Sequence, residues 1–136
     1  MSIQQQPYNE TVTDIETTLG TVPRYLKALP EQELINEWPT LKRFLFGETE
    51  IDPKFREFIG LAIAAAIGCE YCRHFHHGAA ELNGATDEEM AELYFLASYT
   101  PRYSAMLHAQ DYDLETFKEE TAEIADHLMA QVASDD

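Results

Sequence analysis

The chain has 136 residues, 45% of them hydrophobic, and 25 acidic side chains against 9 basic ones, for a formal charge of −16. That length suits one domain, residues 1–136, built around a single core. Such an acidic surface repels nucleic acid and anionic lipid, which excludes both as partners.

The longest uncharged run, Phe58–Cys69, is 12 residues, against roughly 20 for a bilayer-spanning helix, so no membrane segment is expected. The opening MSIQQQPYNE has neither the basic nor the apolar stretch of a leader, and a cytoplasmic location is expected. Residues 1–7 and 132–136 carry no pattern and are expected to fray.

Apolar spacing is helical almost throughout and no β-branched run alternates, so the expected fold class is all-α, a compact domain of six to eight helices. Two short helices are predicted in Glu10–Leu19 and Val22–Leu29, separated by Gly20. Pro30 suits the first turn of Glu31–Phe46, whose Leu34, Ile35, Trp38, Leu41, Phe44 and Leu45 recur at three- and four-residue steps. Pro39 is expected to kink or divide that helix.

Asp52-Pro53 pairs a capping carboxylate with proline at the first helical position. It should open a helix ending at Ile67, with Gly68 as its stop. Beyond Glu57 this segment has no charge on any face, which predicts a helix buried in the core. The next helix should run Cys69–Leu82 and stop at Asn83-Gly84. Thr86 and Glu89 form a capping box for another. Pro101 should break or kink the chain near Thr100, and a final amphipathic helix is predicted from Leu114 to Gln131.

The chemistry concentrates at Cys69-Glu70-Tyr71-Cys72. These are the only two cysteines, and a bridge between them encloses too short a loop to add much stability. The spacing instead suits a disulfide that forms and breaks within one helical turn. At about 100° per residue, Cys69 and Cys72 lie roughly 60° apart, with His76 between them in angle. Cys72 and His76 form an i,i+4 pair, close enough for the imidazole to serve the thiol directly or through one water. The helix N-terminus favours thiolate; Glu70 opposes it and Arg73 offsets Glu70.

Glu57 is the last charge before the apolar run, so it should be part-buried and in need of a partner. If the two helices pack antiparallel across Gly68, Glu57 and His76 lie at similar distances from the turn. Glu57, His76 and Cys72 would then form a relay in which a carboxylate orients an imidazole that deprotonates a thiol.

Glu57, the twelve-residue interval, Cys69-x-x-Cys72-x-x-x-His76, Gly84 and Thr86-Asp87-Glu88-Glu89 together resemble the core of the alkylhydroperoxidase D-like branch of the carboxymuconolactone decarboxylase family, over roughly residues 51–96. The resemblance implies an all-α, cofactor-free antioxidant oxidoreductase, assembled as homo-trimers or homo-hexamers, that reduces peroxide or disulfide substrates and is reset by an external dithiol or protein reductant. It implies that Cys72 attacks, Cys69 resolves, and Glu57 and His76 shuttle protons. Helix position alone favours Cys69 as the more acidic thiol; the resemblance and the His76 spacing favour Cys72 as nucleophile.

The best-known peroxidase members carry a histidine where this chain has Tyr71. A tyrosine, with a pKa of about 10, is no near-neutral base, so the set equips dithiol exchange better than peroxide reduction. Decarboxylase members of the wider family lack the cysteine pair, which makes lactone decarboxylation a lesser alternative.

A further alternative is a non-catalytic or zinc-binding helical oligomer, with Cys69, Cys72 and His76 joined by His77 or His108. Structural zinc sites draw ligands from two chain segments, however, and no second C-x-x-C exists; no metal is therefore expected. By helical angle His74 and His77 point away from the cysteine face. His127 lies in an acidic helix and should be exposed. Tyr94, Phe95, Tyr99 and Tyr103 are expected in the core or at a subunit contact.

Overall fold

The computed structural model describes residues 5–134. They form eight helices: α1 Gln5–Leu19, α2 Arg24–Lys27, α3 Glu31–Phe46, α4 Pro53–Ile67, α5 Glu70–Leu82, α6 Asp87–Leu96, α7 Tyr99–Ala109 and α8 Leu114–Ser134. Among the described residues there is no strand, and none of these helices is long and apolar enough to cross a membrane.

The first three helices share one apolar cluster: Ile15 of α1, Val22 and Leu26 around α2, and Leu34 and Trp38 of α3. A polar clamp lies beside it. The Trp38 indole N–H donates to Asp14 Oδ2 at 2.7 Å, and Lys42 Nζ donates to Asp14 Oδ1 at 2.7 Å. Trp38 and Lys42 are one turn apart on α3, so both reach the same carboxylate of α1. The lysine bond first, and then the indole bond, hold the Asp14 carboxyl below the usual aspartate range.

Pro39 does not divide α3. It lies on the exposed side of the helix, so the carbonyl whose amide partner it removes can turn to water. Arg56 of α4 reaches back to the end of α3, donating from Nη1 to the Phe44 carbonyl at 2.7 Å and from Nη2 to the Gly47 carbonyl at 2.9 Å. These are carbonyls that the helix end leaves without amide partners.

The α4 boundaries follow from its caps. The Asp52 side chain accepts from the Lys54 amide at 2.9 Å, with Pro53 at the first helical position. At the other end Gly68 adopts φ 69°, while the Gly68 and Cys69 amides donate to the Ala65 and Ala64 carbonyls. That left-handed turn, which glycine adopts without a Cβ penalty, folds α5 back against α4. A second apolar cluster forms there from Leu61, Ala80 and Met90. The Thr86–Glu89 capping box starts α6, and Glu89 also pairs with Lys54 at 2.7 Å, tying the starts of α4 and α6 together.

Several expectations are corrected. The chain is helical from Gln5 and up to Ser134, so parts of both patternless ends are ordered as helix; residues 1–4 and 135–136 lie outside the described residues. Pro101 falls in the first turn of α7 rather than in a break, a place where its missing N–H has no intrahelical partner to lose. Most important, α4 is not surrounded. It buries only Glu57, Leu61 and Ala64, leaving Phe55, Ile59, Ile63 and Ile67 exposed.

The Asp14 clamp gives a signed pH dependence. A carboxyl whose native pKa is depressed contributes stability that is present above its unfolded value, about 3.9, and is lost as pH falls through the lower native value. Thermal unfolding of Asp14→Asn between pH 5 and pH 2 should show a shallower acid loss than the parent. Parallel acid limbs would remove the clamp from the account.

Candidate active site

Cys69 is the N-cap of α5, with extended backbone at φ −85° and ψ 102°. Its sulfur takes the place of the oxygen that a serine or aspartate cap would supply, accepting from the Cys72 amide at 3.2 Å. The Cys69 and Cys72 sulfurs are 2.6 Å apart, closer than unbonded sulfurs sit and within reach of a disulfide bond; both cysteines are free and half-buried. The close Cys72 thiol, followed by the Cys72 amide, pulls the Cys69 thiol below the ordinary range. The same sulfur–sulfur contact and burial push Cys72 up. The two thiols are thereby set apart, Cys69 the more acidic and Cys72 the less, and they titrate as a coupled pair.

On the adjoining face, α4 presents Glu57, only 4% exposed. Its Oε2 accepts from His76 Nδ1–H at 2.7 Å across the α4–α5 seam. A carboxylate this buried needs such a donor, and the bond defines the imidazole: with the proton on Nδ1, Nε2 is the basic nitrogen. The edge of the Phe75 ring meets the His76 ring, with centroids 5.2 Å apart.

The predicted site residues thus assemble as two bonded pairs one turn apart on α5, Cys69 with Cys72 and His76 with Glu57. Among the described hydrogen bonds none joins either sulfur to His76. Tyr71 is 84% exposed and Arg73 is exposed. His108 donates from Nδ1 to its own helix's Ser104 carbonyl at 2.8 Å. Among the described residues no group of three His, Cys, Asp or Glu side chains is placed to hold a metal ion, so the set considered for zinc is not assembled.

Two features escaped sequence reading. A Cβ built on Gly60 would overlap the His76 imidazole, 2.5 Å from both ring nitrogens. Gly60 is the floor on which the ring lies, one turn from Glu57 on the same face of α4. The available signal was a lone glycine inside a helix, a placement that costs about 1 kcal/mol relative to alanine and asks for a reason. The second feature is a pocket of about 300 Å³ between α4, α5 and α6, walled by Leu61, Ala65, Leu93 and Ala97 and edged by Arg73, His77 and Tyr94. His77 Nε2 and the Tyr94 hydroxyl are hydrogen-bonded at 2.7 Å, and their rings stack.

The sequence profile of the carboxymuconolactone decarboxylase family matches residues 33–112. The fold is similar to the crystal structure of the alkylhydroperoxidase AhpD core from Rhodospirillum rubrum ATCC 11170, at 29% sequence identity, with 82% of this chain and 85% of that one covered and a TM-score of 0.68. No curated protein matches the chain.

Two outcomes are expected. Iodoacetamide labelling against pH should be biphasic, the first thiolate appearing below the ordinary cysteine value of about 8.5 and the second above it. Peptide mass spectrometry should find the early label on Cys69; first labelling at Cys72 would reverse the order of acidity. Gly60→Ala should displace His76 from Glu57. A buried carboxylate left without its donor costs about 2–3 kcal/mol, which outweighs the helix gain of about 1 kcal/mol for a net loss of about 1–2 kcal/mol in denaturant unfolding. Unchanged or raised stability would mean that the ring has another place to go.

Proposed function

The chain belongs to the carboxymuconolactone decarboxylase family, and within it we propose a thiol-dependent oxidoreductase that cycles Cys69 and Cys72 between dithiol and disulfide. The observation that carries this reading is the placement of both free thiols at the start of α5, one turn from a buried carboxylate–imidazole pair. The likeness to an alkylhydroperoxidase core at 29% identity supports it.

In the proposed cycle His76 Nε2 takes the Cys72 proton, through one water, while Glu57 holds the ring in the required tautomer and steadies the imidazolium. The Cys72 thiolate attacks one sulfur of a substrate disulfide. The substrate S–S bond breaks, and the departing thiolate takes the proton back from His76. Cys69, as its thiolate, then attacks Cys72 Sγ and expels the second substrate thiolate, which is protonated from solvent. The enzyme is left with a Cys69–Cys72 disulfide and the substrate with two thiols.

With a peroxide, the O–O bond breaks instead. Cys72 becomes a sulfenic acid as an alcohol leaves, and attack by Cys69 releases water. An external dithiol or protein reductant restores the pair in either case. Tyr71 stands exposed beside Cys72 and supplies no near-neutral base, which favours disulfide over peroxide as substrate.

The lowered pKa at Cys69 suits a resolving thiol, because the Cys72 amide that donates to its sulfur remains in place when Cys72 is bonded to substrate. The raised pKa at Cys72 explains why the nucleophile requires a base. His76→Ala should therefore lower kcat/KM for a small disulfide about 10²–10⁴-fold, the usual worth of a positioned base, and the loss should shrink as pH rises above the Cys72 value. Cys69→Ser should accumulate a mixed disulfide at Cys72. An adduct that instead accumulates at Cys69 in Cys72→Ser would reverse the two roles, and no adduct in either variant would end the redox reading.

A further inference from the structure

The pocket between α4, α5 and α6 takes no part in the proton relay. Its volume of about 300 Å³ falls at the lower end of the range for small-molecule sites, which are mostly apolar with a few convergent polar groups. Leu61 and Ala65 of α4, with Leu93 and Ala97 of α6 and its cap, supply apolar walls. Arg73 and His77 are four residues apart on α5, so both reach the same opening, where Tyr94 meets them.

The three edge residues are not equivalent. His77 turns Nδ1 toward the Glu81 carboxylate, 3.6 Å away, and meets the Tyr94 hydroxyl with Nε2 at 2.7 Å. A proton held on Nδ1 beside that carboxylate leaves Nε2 to accept from the Tyr94 O–H. The phenol proton is therefore committed within the protein, and the stacked rings act as wall.

Arg73 is different. Lys42, Lys54 and Lys118 each pair with a carboxylate, and Arg56 donates to two carbonyls. Arg73 enters none of the described ion pairs, although the chain has 25 acidic residues against 9 basic ones and Glu70 lies one turn away.

We propose that this pocket binds a small apolar monocarboxylate, with its hydrocarbon body against Leu61, Ala65, Leu93 and Ala97 and its carboxylate on the Arg73 guanidinium. Charge fixes the ligand class. A chain of net charge −16 repels anions at long range, so an anion is held only where a local donor meets it. The planar guanidinium fork matches one carboxylate. A dianion such as a phosphate monoester brings a second charge for which the pocket edge has no second arginine or lysine.

Arg73 follows Cys72 in the chain, so the charged end of the pocket lies at the thiol-bearing turn of α5. The site nevertheless goes beyond the redox reading and does not rest on it, because its test reads binding alone.

In that test the methyl-labelled full chain, kept reduced, is titrated with straight-chain carboxylates from butanoate to octanoate and with the matching amides. The Leu61 and Leu93 methyl resonances should shift saturably, and affinity should rise about fourfold per added methylene until the cavity is full. Each acid should bind more tightly than its amide. Arg73→Gln, at an exposed position, should remove that preference. It should weaken the acids about two- to fivefold, the worth of an exposed ion pair, and leave the amides unchanged. Ala65→Leu fills the cavity from an exposed position of α4 and should abolish the methyl shifts. Amides binding as well as acids, or an acid preference that survives in Arg73→Gln, would overturn the carboxylate assignment. Absence of a saturable shift, shifts confined to other residues, or binding untouched by Ala65→Leu would overturn the site itself.

Discussion

A carboxylate buried between two helices has to be met by a donor, and in this protein Glu57 is met by His76. The bond spans the α4–α5 seam at 2.7 Å, and much of the local architecture follows from it. Gly68 turns the chain so that the two helices run back to back. Gly60 removes the Cβ that would occupy the space of the ring. The imidazole is left with one nitrogen committed and one basic, one turn from Cys72. None of these features is useful without the others: a histidine over any larger residue could not reach Glu57, and an unpaired Glu57 could not remain ionised at this depth without a large penalty.

The thiol pair shows how much chemistry backbone position alone can impose. The net charge of the chain is strongly negative, which on average discourages further anions, yet Cys69 is the thiol drawn toward ionisation. The cause is local: the Cys72 thiol lies against its sulfur and the Cys72 amide donates to it. These two short-range contacts outweigh the averaged field, as expected when exposed charges are spread out and screened by salt. Differentiating the two sulfurs requires no special residue, only that one caps the helix and the other lies inside its first turn.

What was legible in the sequence is what depends on neighbours along the chain. Asp52-Pro53, Gly68 and the Thr86–Glu89 box mark helix ends through local hydrogen bonds, and all three operate as read. The Glu57–His76 pairing was reachable because the two residues are equidistant from a glycine turn. Exposure was not legible. The composition of α4 shows that it is apolar on every side but not whether the covering material belongs to the same chain. Pro39 was misread because its effect depends on whether the freed carbonyl faces water. Arg56 and Gly60 escaped for the related reason that their partners, the end of α3 and the ring of His76, come from other helices.

The N-terminal cluster holds a feature with a practical consequence. The chain has one tryptophan, and it is packed between α1 and α3 rather than beside the sulfurs. Its emission therefore follows the separation of those two helices, while the thiols belong to the start of α5. Fluorescence and thiol titration accordingly read two separate parts of the molecule, and whether their denaturation midpoints coincide measures how tightly the first three helices are coupled to the rest.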